Sequence, residues 1–104
     1  MDWTTEENSQ LLEEMLQKAK ITLRIRTVAF DDEIRDLIKA GYEDLDTRGV
    51  LTLTQKKSPL LIRAIMTYVR LNFGEPENPD RLKRSYDEQK AQLMTTTLFT
   101  DWED

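Results

Sequence analysis

Four carboxylates within six residues, Asp31, Asp32, Glu33 and Asp36, form the densest group of potential ligands or acids in the chain. A hard cation such as magnesium takes oxygen donors of this kind, but the group lacks the alternating spacing and the turn glycine of a calcium loop. The same acids suit the first turn of a helix, where the backbone dipole favours negative charge. Glycosidic hydrolysis needs two carboxyl groups facing each other across a cleft, and no pair here is singled out by its spacing. The 104 residues contain no cysteine and no histidine. That removes the disulfide framework, the thiolate nucleophile, the zinc ribbon, the Ser–His–Asp triad and the imidazole proton shuttle. No glycine-rich phosphate loop of the GxxxxGK[ST] or GxGxxG type occurs either. The expectation is a binding protein, with no enzyme activity, no metal and no cofactor.

Two groups of residues are suited to binding. Arg63 and Arg70, with Thr67 between them, form a narrow polar stripe on an otherwise apolar segment. Arginines so placed can take carboxylates of a partner or phosphate. The competing arrangement is an internal salt bridge to Asp36, Glu43 or Asp44. Leu98, Phe99 and Trp102 lie among threonines and acids beyond the last helical pattern. Aromatic side chains on an end segment either anchor a partner or fold back to close the core. The threonines add strand propensity, which suits strand addition to a partner. Trp3 raises the same question at the other end.

The elements that position these residues read as helices. Leu11, Leu12, Met15, Leu16, Ala19 and Leu23 make one apolar stripe, with Thr4 and Glu7 at capping-box spacing and Ser9 as a competing start. A second helix starts with Asp31 or Asp32 as N-cap, buries Phe30, Ile34, Leu37, Ile38 and Leu45, and stops near Gly49. Gly41 within it marks a place where another helix can approach closely. Ser58-Pro59 opens a third helix, apolar round nearly its whole circumference except the Arg63–Thr67–Arg70 stripe, which places it centrally. Asn78-Pro79 opens a fourth, with Leu82, Tyr86, Gln89 and Leu93 on one face. The predicted fold is all-α: a small bundle of four main helices over residues 1–94, with residues 95–104 as an extended or partner-ordered tail.

Charge is segregated. The net charge is −5, and an isoelectric point near 4.8 does not suit a protein that grips nucleic acid over its whole surface. Yet residues 51–73 carry Lys56, Lys57, Arg63 and Arg70 without a single acid. A basic centre with acidic ends can join one subunit to the next. Lys56, Lys57, Arg63 and Arg70 are therefore the candidate subunit contacts. No apolar run is long enough to span a bilayer, and no signal peptide is evident.

Several strings, in order, resemble the phage head–tail connector family, the small DNA-packaging or head-completion proteins of tailed phages and prophages. They are Leu23-Arg24-Ile25 with Ala29-Phe30-Asp31-Asp32-Glu33-Ile34 and Leu37-Ile38; Pro59-Leu60 with Arg63-Ala64-Ile65, Tyr68-Val69 and Asn72-Phe73-Gly74; and Ser85-Tyr86-Asp87. Together they span about residues 10–94. The resemblance implies a structural virion protein assembled in the bacterial host cytoplasm and sited at the head–tail junction. It implies a homo-oligomeric ring, dodecameric in the virion, that binds the portal protein. The ring lets DNA pass through its channel without sequence-specific binding, and it docks a head-closure or tail-completion protein. Leu98, Phe99 and Trp102 would then engage the portal. The rival expectation is a small helical DNA-binding regulator, whose reading helix, the third, is too aliphatic to address base edges.

Overall fold

The computed structural model describes residues 1–47 and 56–95. They form four helices, α1 (Glu6–Leu23), α2 (Asp31–Thr47), α3 (Pro59–Asn72) and α4 (Pro79–Thr95), with no strand among the described residues. The predicted all-α bundle is the fold observed. The expected stop at Gly49 lies outside the described residues.

α1 starts one residue later than the capping-box spacing suggested. Thr5 is the N-cap, and its hydroxyl accepts the Asn8 N–H at 3.2 Å. Thr4 is diverted: its N–H and hydroxyl both donate to Asp2 Oδ1, at 2.9 and 2.6 Å. The helix closes at Arg24, which takes the left-handed conformation (φ 59°). The Arg24 N–H donates to the Ile21 carbonyl and the Ile25 N–H to the Lys20 carbonyl, a paired closure that ends the helix sharply.

α2 begins at Asp31, so Asp31 and Asp32 occupy its first turn and do not cap it. The reason is a tight approach: the Ala29 N–H donates to the Thr27 hydroxyl and the Asp31 N–H to the Val28 carbonyl, which brings the chain into helix early. Phe30 precedes the helix and is 43% exposed, against the expectation that it joins the buried stripe. It stacks edge-on against Phe73 instead, ring centres 5.6 Å apart. The buried face is Ile34, Ile38, Tyr42 and Leu45, with Leu37 half-buried.

α3 opens with Ser58 in extended conformation and Pro59 in the first turn, where no N–H is needed. It contacts each of the other three helices among the residues it buries. Leu61, Ala64, Ile65 and Val69 are in the core, together with Thr67. Thr67 therefore leaves the predicted polar stripe; its hydroxyl donates to the Arg63 carbonyl at 3.1 Å, which satisfies it without water. Leu60 faces outward, 40% exposed. The close approach expected at Gly41 is present: a Cβ there would lie 3.1 Å from Ile65 Cδ1 and 3.2 Å from the Tyr68 ring.

α4 follows Gly74 (φ 60°) and lies mainly against α3. Tyr86 fixes it to α2. The Tyr86 hydroxyl donates to Asp44 Oδ2 at 2.6 Å, Lys90 Nζ stands 3.5 Å from the same oxygen, and the Tyr86 ring meets Tyr68. Burial, and then the Asp44 carboxylate, hold the Tyr86 phenol in its neutral form to well above its ordinary value of 10.0. Burial does the same to Tyr42, whose hydroxyl donates to the Lys56 carbonyl at 2.8 Å.

Two outcomes follow for stability. In urea titrations, Gly41→Ala should change stability by less than about 1 kcal/mol, because the helix-propensity gain offsets mild crowding. Gly41→Leu should cost about 3 kcal/mol by pushing α3 off α2. Both raised phenols favour the folded state only while protonated, so their stabilisation is full below 10.0, the ordinary value, and is lost as pH rises above it. Tyr86→Phe should cost about 1–2 kcal/mol at neutral pH by removing the bond to Asp44, and should flatten the alkaline limb of a stability–pH curve.

Candidate partner interface

The candidate contacts fall into three environments. Lys56 is occupied within the fold. Its ammonium donates to Asn8 Oδ1 at 2.8 Å and pairs with Glu7 at 3.0 Å, while its carbonyl accepts the Tyr42 hydroxyl. Asn8 in turn donates through Nδ2 to the Asp2 carbonyl at 2.6 Å. One lysine thus ties the N-terminal turn, the end of α2 and the entry to α3 together. Its hydrogen bond, chiefly, holds the Glu7 carboxyl below its ordinary value. The neighbouring Lys57 is exposed. Trp3 folds back onto the bundle, half-buried and edge-on to Tyr42 with ring centres 5.3 Å apart.

Arg63 and Arg70 are both exposed, and neither pairs with a carboxylate of the described residues. The internal bridge to Asp36, Glu43 or Asp44 is not formed. Asp44 is taken by Tyr86 and Lys90. The internal ion pairs use other cations: Lys20 with Asp31 at 2.9 Å, and Arg35 with Glu13 at 2.8 Å and Asp32 at 2.9 Å. The Arg35 bond lowers the Glu13 carboxyl below its ordinary value. Two of the four clustered carboxylates are therefore neutralised by neighbouring cations. Among the described residues no group of three acids is placed to hold a metal ion.

Arg63 borders a groove between α1 and α3 that sequence reading did not identify. Lys18 and Ile21 of α1 and Ile62 and Met66 of α3 line it with Arg63. The signal was present in Ile21, an apolar side chain off the buried stripe of α1 and 78% exposed. Arg70 lies further along α3, in a separate cleft where Phe73, Glu75, Glu77 and Arg81 gather at the α3–α4 corner. The structure thus places the two arginines on one helix but in different surroundings. Leu98, Phe99 and Trp102 lie outside the described residues. No helix among the described residues is long and apolar enough to cross a membrane.

Lys56 and Lys57 separate in a simple test. Lys56→Ala should lower stability by about 1 kcal/mol, mostly through the buried Asn8 and the N-terminal turn, because the exposed Glu7 partner is screened. Lys57→Ala should stay within about 0.5 kcal/mol of the parent in the same denaturation assay.

A family model described as phage connector protein matches residues 15–98. Neither a curated protein nor a solved structure matches the chain.

Proposed function

The chain belongs to the phage connector family, and from that premise we propose that it is a structural virion adaptor forming a ring beneath the portal. In this reading the ring extends the DNA channel and joins the head to a head-closure or tail-completion protein. The family is a structural one, and the chain's work is contact, not catalysis. The observation that carries the proposal is the match over residues 15–98, which takes in the second half of α1 and the whole of α2, α3 and α4. The exposed Arg63 beside an apolar groove supports it, as an unpaired guanidinium is a ready contact for a neighbour's carboxylate. Arg70 and Lys57 are proposed as further subunit contacts, with Lys56 contributing through the turn that it braces. DNA slides through the ring without sequence-specific binding, and a net charge of −5 suits a channel that does not hold its cargo tightly.

A regulator that reads DNA with α3 is poorly served by this fold, because Leu61, Ala64, Ile65 and Val69 of that helix are in the core. The portal-docking part of the proposal rests on Leu98, Phe99 and Trp102. Removing residues 96–104 leaves α4 whole. The truncated chain should lose co-sedimentation with the portal of its phage by at least about tenfold, as loss of buried aromatic anchors does. Unchanged co-sedimentation overturns the assignment of the tail.

A further inference from the structure

The contact of α1 with α3 brings together parts of two acid-free stretches of the chain. Met15 to Phe30 contains Lys18, Lys20, Arg24 and Arg26, and residues 51–73 contain Lys56, Lys57, Arg63 and Arg70, with no Asp or Glu in either. Folding occupies Lys20 with Asp31 and Lys56 with Glu7. Lys18 and Arg63 remain exposed at the α1–α3 groove, beside Ile21, Ile62 and Met66. An apolar strip bordered by cations has the make-up of a protein interface, apolar at the centre and charged at the rim.

The complementary surface is on the opposite side. α1, α2 and α3 pack against one another pairwise, so the α1–α3 groove opens away from α2. The outer face of α2 points the other way. Asp32, Asp36 and Glu43 are exposed there. At 100° per residue they fall within an arc of roughly 40°, opposite the buried Ile38 and Leu45. Arg35 pairs with Asp32 at 2.9 Å and leaves its side chain exposed, and with Lys39 on the flank the strip is still net negative.

We propose that the α1–α3 groove of one copy seats on the acidic outer face of α2 in a second copy. The biological setting of this contact rests on the connector reading given above. Charge complementarity selects the occupant: Lys18 and Arg63 meet Asp36 and Glu43, and the exposed Ile21 is covered at the centre. Phosphates of DNA would gain nothing from the isoleucines and methionine, because backbone contacts are polar and ionic. The two patches are different surfaces facing opposite ways, so the contact is heterologous. A pair leaves the acidic face of one copy and the groove of the other unused, so the contact repeats until a ring closes.

Charge reversal tests the pairing. One variant carries Lys18→Glu and Arg63→Glu, the other Asp36→Lys and Glu43→Lys. All four positions are exposed, and melting curves like the parent's establish that both variants fold. Sedimentation velocity of the parent chain at millimolar concentration and low salt should show self-association. Each variant alone should associate at least about tenfold more weakly. An equimolar mixture should recover association, because every reversed face then meets an opposite charge. A parent that stays monomeric, variants that associate as the parent does, or a mixture no better than its components would each overturn the proposal. So would tight, steeply salt-dependent binding of a DNA duplex that Lys18→Glu and Arg63→Glu abolish. The outcome is separable from the connector reading. Reversed variants that still assemble on the portal refute this interface alone, whereas a parent indifferent to the portal refutes the connector reading and leaves the self-association result standing.

Discussion

The fold is organised by the need to cover α3. Its fourteen residues are apolar on nearly every side, and a helix of that kind is stable in water only when other elements surround it. α1 and α2 pack against it, and α4 lies along it, so each of the other helices is in contact with α3. Gly41 exists in this scheme as a gap in α2 through which Ile65 and Tyr68 come close. Tyr42 and Tyr86 supply large apolar bodies whose hydroxyls find partners, Lys56 and Asp44. Neither phenol leaves an unsatisfied polar group, which would cost about 1–3 kcal/mol if buried.

Covering α3 also decides which charges remain for other molecules. The helices are held in register by cation–carboxylate pairs between distant segments: Glu7 with Lys56, Glu13 with Arg35, Lys20 with Asp31, and Asp44 with Lys90. These pairs use up cations from the basic stretches and acids from the acidic ones. Among the charges that remain exposed are Lys18 and Arg63 by an apolar groove on one side, and Asp36 and Glu43 on the other. The segregation visible in the sequence thus becomes a two-sided molecule, a property that a repeating assembly requires.

Local features were legible in the sequence because they depend on near neighbours. The four helices, the Ser58-Pro59 start and the role of Gly41 follow from periodicity, caps and the size of one side chain. The errors are of two kinds. At helix starts, competing local bonds shifted the boundary: Asp2 diverted Thr4, and the Thr27–Asp31 turn drew Asp31 into α2. Elsewhere the deciding contact was distant. Phe30 is drawn outward to Phe73, Thr67 can be buried because the Arg63 carbonyl accepts its hydroxyl, and Lys56 is claimed by Glu7 and Asn8 from the other end of the chain. The α1–α3 groove is of this second kind, since Lys18 and Arg63 come together only in three dimensions. The family resemblance was legible in part because three of its strings are corners of the bundle. Leu23-Arg24-Ile25 closes α1, Phe30 to Ile34 starts α2, and Asn72-Phe73-Gly74 ends α3.

The central claim is that this chain is a joint whose function is assembled from copies of itself on a larger template. Native mass spectrometry of the chain with and without the portal of its phage tests that claim most directly. The account predicts a discrete complex of portal with multiple copies of this chain, in a ratio set by the symmetry of the portal ring. A chain that stays strictly monomeric, with a spectrum unchanged by the portal, would contradict it.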